Sequence, residues 1–356
     1  IDALEDDKIL DMMSDPEHKP KIEKIFKDIL CSFNPDLVHF HHLKGLSIEL
    51  PNIAKDSSIP VILSIYDYFY ICPKIQMIDF SDDKKRSYCT SIDKRRCSSC
   101  LDIKTQKLYS YWKHIRDMLN TCDALLTYSS HLTSTYHRFG IFKEKTILID
   151  ASHFSPDRFI EVRKRRKEKQ TGKIRDIRQA RPKTPLNNTP QKKIRFGFIG
   201  TLGKHKGVET LLKAWKKAMT SLPSSYAEHA ELIIFGSTHT FENVSRYMSE
   251  IKDKGLITQD IIFAEEIPYD NVHKIYEQID YLVFPSLWQE PSPRTVQEAV
   301  LAGVPVICSD TASIYENIKP DTLIRFTRAS HDELARLLKD IITGKRSYDI
   351  RKSASY

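Results

Sequence analysis

The stretch "IRFGFIGTLGKHKGVETLLKAWKKAM" occupies residues 194–219, and its reading decides the fold. Residues 194–200 form a short β-rich run, glycines recur at 200, 203 and 207, and residues 207–219 space their apolar side chains at the period of one helix face. Strand, glycine turn and helix in that order make a βα unit. The alternation continues, with strands predicted at 231–237, 260–267, 280–286 and 304–310 and helices at 241–255, 269–279 and 292–303. Five strands alternating with four helices predict a doubly wound α/β domain, whose ligands sit beyond the carboxyl ends of the strands.

The loops at those ends carry the chemistry. In "GTLGKHKG" (200–207), the glycines permit close backbone approach. Lys204 and Lys206 bring positive charge to the start of the next helix, where the helix dipole also favours anions. Gly203, Lys204 and Lys206 therefore make a candidate phosphate site, although a Gly-Lys turn serves equally to join strand to helix. The second loop is "WQEPSPRTVQE" (288–298). Pro291 and Pro293 stiffen the approach to a helix whose first turn includes Ser292, Arg294 and Thr295, a further anion-favouring start. Glu290 and Glu298 lie on either side of that start. Carboxylates accept short charge-assisted hydrogen bonds from sugar hydroxyls; the plainer alternative is that Glu298 solvates a helix face and Glu290 caps its beginning.

Taken in order and at their spacing, "FIGTLGKHKGVETLLKAW" and "PSLWQEPSPRTVQEAVLAGVPVICSD" resemble the donor-binding half of retaining glycosyltransferases of family 4, over residues 194–310. "PDLVHFHHLKGLS" (35–47) and "IPVILSIYDYFYICP" (59–73) are similar to the acceptor-side half of the same family. The resemblance implies the GT-B fold: α/β, two Rossmann-like doubly wound parallel-sheet domains facing a cleft. It also implies transfer of a sugar from a nucleotide-diphosphate donor to an acceptor hydroxyl, with no metal ion required for the chemistry. Glu290 would then hold the donor sugar and stabilise developing positive charge, Glu298 would take the nucleotide ribose, and Lys206 would neutralise the leaving diphosphate. The acceptor would be a glycan or lipid-linked glycan of cell-surface polysaccharide synthesis. Two departures stand out. Thr201 occupies a position where many relatives carry Arg, and Tyr66 precedes Asp67 where they often carry His.

At 356 residues the chain is long enough for two domains, and 40% hydrophobic residues suffice for sizeable cores. The expected division is an acceptor-side domain over 1–159, a basic linker over 160–193, a donor-binding domain over 194–343 and a tail over 344–356. The acceptor-side domain is expected to be incomplete at its amino end, because its usual first strand and glycine loop would precede Ile1. A catalytically impaired homologue serving as a nucleotide- or glycan-binding scaffold is the rival from another class.

The net charge of +8 is concentrated in residues 160–193, which hold thirteen Lys or Arg against three Asp or Glu. A near-neutral body with one charged strip, free of aromatics from Val162 to Lys193, argues against specific nucleic-acid binding. It fits a solvated linker, or peripheral contact with anionic lipid at the inner face of the membrane. Seven cysteines, an odd number in a large chain, point to a reducing compartment and a cytoplasmic location.

Cys72, Cys89, Cys97 and Cys100 fall in one loop, and Cys97 and Cys100 have the spacing of a zinc knuckle. They admit three assignments: a structural zinc site, reduced thiols, or a redox pair. Cys31, Cys122 and Cys308 are expected in the core. In "HFHH" (39–42), alternate residues of a strand share a face, so His39 and His41 should point one way and His42 the other. His41 and Asp67 are the candidates on the acceptor side.

Overall fold

The computed structural model describes residues 18–79, 87–89, 92–149, 156–179, 193–236, 242–264, 267–311, 314, 316, 318 and 323–346. The chain divides into two compact units, Ala3–Ser152 with Trp288–Ser292, and His153–Leu287 with Pro293–Tyr356.

The first unit is built on a parallel sheet of β1 (Val38–Phe40), β2 (Val61–Ile65), β5 (Ala124–Thr127) and β6 (Thr146–Leu148), in the order β1-β2-β5-β6. A short antiparallel pair, β3 (Ile78–Asp79) and β4 (Ser87–Tyr88), stands apart from it. Helices α1 (His18–Phe33), α2 (Leu50–Asp56), α3 (Lys94–Leu101), α4 (Thr105–Thr121) and α5 (Ser130–Phe139) complete the unit. Its core joins Val61, Leu63, Ile65 and Leu125 of the strands to Leu30, Ile53, Trp112, Ile115 and Tyr136 of the helices. Helix α1 carries the apolar period of Ile22, Phe26 and Leu30, which turns one of its faces to this core.

The second unit opens with α6 (Pro156–Gln179) and continues with β7 (Ile194–Ile199), α7 (Val208–Thr220), β8 (Ala230–Phe235) and α8 (Glu242–Asp253). Then come β9 (Ile261–Ala264), β10 (Tyr281–Phe284), α9 (Arg294–Leu301), β11 (Val306–Ser309), β12 (Leu323–Phe326) and α10 (His331–Ile342). The six strands run parallel in the order β12-β11-β10-β7-β8-β9, the arrangement of a dinucleotide-binding fold whose winding reverses between β7 and β10. Both sheet faces are covered. Along β8, Leu232 and Ile234 enter one core with Phe196, Trp215 and Leu338, while Ile233 and Phe235 enter a second with Leu282, Val296 and Val306. Such double burial explains the nearly continuous apolar run of this strand.

The linker expectation needs correcting. Residues 160–179 belong to α6, and the remainder of the predicted linker, 180–192, lies outside the described residues. Phe159 and Val162 are buried among Tyr276, Ile279 and Val296, and these two apolar side chains help lay the helix on the second unit. Its arginines are also engaged. Arg165 pairs with Glu277 at 2.6 Å, and Arg166 donates to the carbonyls of Tyr276 and Ile279 at 2.8 and 2.7 Å, where a short helix ends. Cations suit the carbonyl end of a helix. Part of the charge read as solvated therefore joins elements together. Among the described residues no helix is long and apolar enough to cross a membrane.

Glu209, in the first turn of α7, is buried yet ionised. Burial alone would push its carboxyl up, but hydrogen bonds from Lys213 at 2.7 Å and Lys254 at 3.2 Å outweigh this and bring it down to about 2. Because the folded value lies below the ordinary 4.5, the stabilisation is full above pH 4.5 and disappears as pH falls toward 2. Glu209→Gln is thus expected to lower the melting temperature at pH 7 by a few degrees, about 1–2 kcal/mol. The gap from the wild type should close between pH 4.5 and 2; a gap constant across that range in acid melts would refute the assignment.

Candidate active site

In the second unit the loops that follow β7 and β10 flank the point where the winding reverses. β7 delivers the chain to Gly200, a 3-10 turn spans Lys204–Lys206, and Gly207 ends that turn and opens α7 at φ +73°. The backbone there is closely packed: a Cβ at residue 207 would stand 1.9 Å from the Pro285 carbonyl oxygen. The Leu287 N–H donates to the His205 carbonyl at 2.8 Å, and the Ser309 hydroxyl donates to the Ser286 carbonyl at 2.6 Å. The two loops and the end of β11 are thereby fixed to one another.

His205 was not singled out by the sequence pattern. Its ring is buried beneath Gly203, where an added Cβ would meet it at 2.7 Å. Burial first, and then the charge of adjacent Lys206, lowers its pKa to about 3, so the imidazole is neutral and acts as packing inside a cationic loop. The one signal in the sequence was its place between two lysines in a glycine turn. Lys204 turns toward α8, 3.8 Å from Glu250 and 5.9 Å from the Tyr247 ring centroid.

Helix α9 begins at Arg294 with Pro293 as its N-cap and without a side-chain cap, so the first-turn N–H groups belong to Arg294 and Thr295, with Ser292 just before them. Glu298 is buried in the next turn, with the Tyr276 hydroxyl 2.7 Å from its Oε2 and 3.2 Å from the Thr295 carbonyl. Burial raises the Glu298 pKa, against the hydrogen bond from Tyr276 and the charge of Arg294. The carboxylate is therefore held in one orientation instead of solvating a helix face. Tyr276 is the second residue that the sequence pattern missed; its distance of twenty-two residues from Glu298 carries no periodicity.

Glu290 falls within the first unit. It is buried, its N–H bonded to the Trp288 carbonyl at 3.0 Å. The segment is anchored by Tyr68, whose hydroxyl donates to the Gln289 carbonyl at 3.0 Å and whose ring meets Trp288 edge-on at 6.3 Å.

At the carboxyl ends of β1, β2 and β5, His39 and His41 share a face with ring centroids 4.2 Å apart, as strand geometry predicts. Burial, then the neighbouring His41, lowers the His39 pKa. His41 bonds Tyr66 at 2.7 Å, whereas His42 stands 3.5 Å from Asp67 on the other side. Asp67 also accepts from the Phe69 N–H at 2.8 Å, which forms the turn after β2.

The cysteine expectations also change. Cys72, Cys89, Cys97 and Cys100 line one small cavity with Ile71, Met77 and Trp112, and burial pushes Cys72 up to about 12. Among the described residues no group of three or more His, Cys, Asp or Glu side chains is placed to hold a metal ion, so of the three assignments the structural zinc site is the one without support. Cys122 and Cys308 are core residues, but Cys31 is exposed, on the outer face of α1.

Two parallel-sheet α/β units of this kind are the architecture of the GT-B fold, which solved structural neighbours share. Residues 181–356, nearly all of them in the second unit, match the model of the family glycosyl transferases group 1. The chain is 23% identical over 297 residues to a 42.6 kDa protein in the cps region of Klebsiella pneumoniae, covering 83% of this chain and 63% of that protein. It thus spans under two thirds of that relative. Among solved structures, HepE from Anabaena in complex with UDP-glucose superposes at TM-score 0.59 with 14% identity, covering 93% of this chain and 75% of HepE. Sucrose-phosphate synthase from Thermosynechococcus elongatus does so at 0.61 with 15% identity, covering 94% of this chain and 70% of the synthase.

Proposed function

We propose that the protein is a retaining glycosyltransferase of family 4 that moves a sugar from a nucleoside-diphosphate donor to an acceptor hydroxyl in cell-surface polysaccharide synthesis. The observation that carries this reading is the second unit's paired loops: a positive-φ glycine turn bearing Lys206, pressed against the loop that leads to Arg294 and the oriented carboxylate of Glu298. Lys206 and the start of α9, with Ser292, Arg294 and Thr295, take the diphosphate; Gly203 and Lys204 complete the turn around it. Positive charge placed in advance where the leaving group develops its negative charge lowers the barrier more than any other feature of such a site. Glu298 keeps one oxygen toward Tyr276 and receives the ribose hydroxyls. Glu290 faces the donor sugar and stabilises the oxocarbenium-like transition state. His41 and Asp67 belong to the acceptor side.

Attack on the same face as the leaving phosphate gives retention without a protein nucleophile, and none is assigned. No metal is assigned to the chemistry. The polysaccharide role draws on the Klebsiella cps-region relative, and UDP is the first nucleotide to test because HepE holds UDP-glucose. A cytoplasmic site at the inner membrane face would suit a lipid-linked acceptor, with the basic residues of 160–193 as the contact.

A thermal-shift series with UDP, GDP, ADP and their sugar conjugates tests the donor site. Near saturation, at about 100 times Kd, a ligand bound only by the folded state adds about 2.7 kcal/mol. One nucleotide should raise the melting temperature, and Lys206→Ala should remove most of the rise. No shift with any of them, on a chain that melts cooperatively, would sink the reading. A shift without donor hydrolysis or transfer would support the scaffold alternative instead.

A further inference from the structure

Tyr66 immediately follows β2, and 40% of it is exposed. It is nonetheless held from several sides. Its ring lies on that of buried Tyr128, centroids 4.8 Å apart and planes within 8°. Its hydroxyl takes His41 Nδ1 at 2.7 Å and the Tyr128 hydroxyl at 3.4 Å. Tyr128 in turn bonds Ser64 at 3.0 Å, and Ser64 bonds His39 Nε2 at 2.9 Å. Since the His39 and His41 rings stand 4.2 Å apart, the contacts close into a ring of five side chains drawn from three adjacent strands.

A lone surface tyrosine samples several rotamers and gains little from being fixed. Here stacking and hydrogen bonds fix one ring and leave surface open beside two exposed imidazoles. This is the form of a pre-organised binding platform: an apolar plane beside groups that donate and accept hydrogen bonds. A pyranose matches it, having one face of C–H groups and an edge of hydroxyls, whereas a phosphate has no apolar face to offer.

We infer that Tyr66, backed by Tyr128 and locked by His41, is a stacking platform for a pyranose ring of the acceptor, with His39 and His41 toward its hydroxyls. The choice of a sugar as ligand rests on the transferase reading. The platform itself is independent of the donor loops.

The test is saturation-transfer difference NMR on the full chain with the methyl pyranosides of glucose, galactose and mannose as probes, UDP being followed in the same samples. At least one glycoside should receive saturation at its ring C–H protons in the wild type. Tyr66→Phe, which keeps the plane and its stack on Tyr128 but loses the His41 bond, should retain the larger part of that signal. Tyr66→Leu should reduce it about five- to tenfold, the factor one aromatic contact carries, without changing UDP binding. Absence of saturation from all three glycosides, or an equal signal in Tyr66→Leu, overturns the platform even if UDP still binds. Loss of UDP binding with the glycoside signal retained would instead strike the donor assignment and leave the platform standing.

Discussion

Glu290→Gln is expected to reduce sugar transfer, or donor hydrolysis where no acceptor is supplied, by about 10²- to 10³-fold, the usual effect of removing one pre-placed electrostatic partner of the transition state. Nucleotide affinity should stay within about threefold, because an interaction made only in the transition state lowers kcat without weakening ground-state binding. Glutamine conserves the shape of this buried side chain. The backbone of its segment is held independently, by the Tyr68 hydroxyl on the Gln289 carbonyl and by Trp288 against the Tyr68 ring. The melting temperature should therefore move little. Parallel kinetics and nucleotide titration decide the matter: equal losses in turnover and in nucleotide binding would show that Glu290 positions the donor instead of stabilising charge.

The alternation that predicted the second unit was legible because a strand buried on both faces must be apolar and short. Strands expected at 280–286 and 304–310 are found at Tyr281–Phe284 and Val306–Ser309, shortened by two residues where Pro285 and Pro305 flank them and by one at the other end. The predicted alternation stopped at Asp310, and so missed β12 and α10, although Leu334, Leu338 and Ile341 recur at helical spacing. Helix α6 was hidden for a different reason. Thirteen basic residues over 160–193 suggested that nothing could be buried, yet Phe159 and Val162 are buried against the second unit's core, and Arg166 reaches carbonyls more than a hundred residues away. Within the site, glycines, lysines and carboxylates announced themselves through local spacing. His205 and Tyr276 did not, because what they do depends on burial and on partners brought close only by the fold.

Gly207→Ala should show how far the donor loop depends on one missing Cβ. At φ +73° an alanine incurs the left-handed penalty of roughly 1–2 kcal/mol wherever it stands. Gly344 provides that reference, with φ +71° and no atom within 4 Å of an added Cβ, so Gly344→Ala should cost only this strain and lower the melting temperature by about 2–6 °C. At Gly207 the same methyl would lie 1.9 Å from the Pro285 oxygen and 2.8 Å from its carbonyl carbon. Both belong to backbone at the end of β10, which cannot rotate aside as a side chain does. The loop after β7 must then lift away from the loop after β10, stretching the Leu287-to-His205 hydrogen bond and shifting Lys206. The expected cost is at least 3–4 kcal/mol, about 10 °C or more, in the range reserved for backbone strain combined with overpacking, together with loss of nucleotide-induced stabilisation. Differential scanning of the two variants side by side isolates the crowding from the strain. If Gly207→Ala melts with Gly344→Ala and still responds to nucleotide, the close approach of the two loops is not what shapes the site.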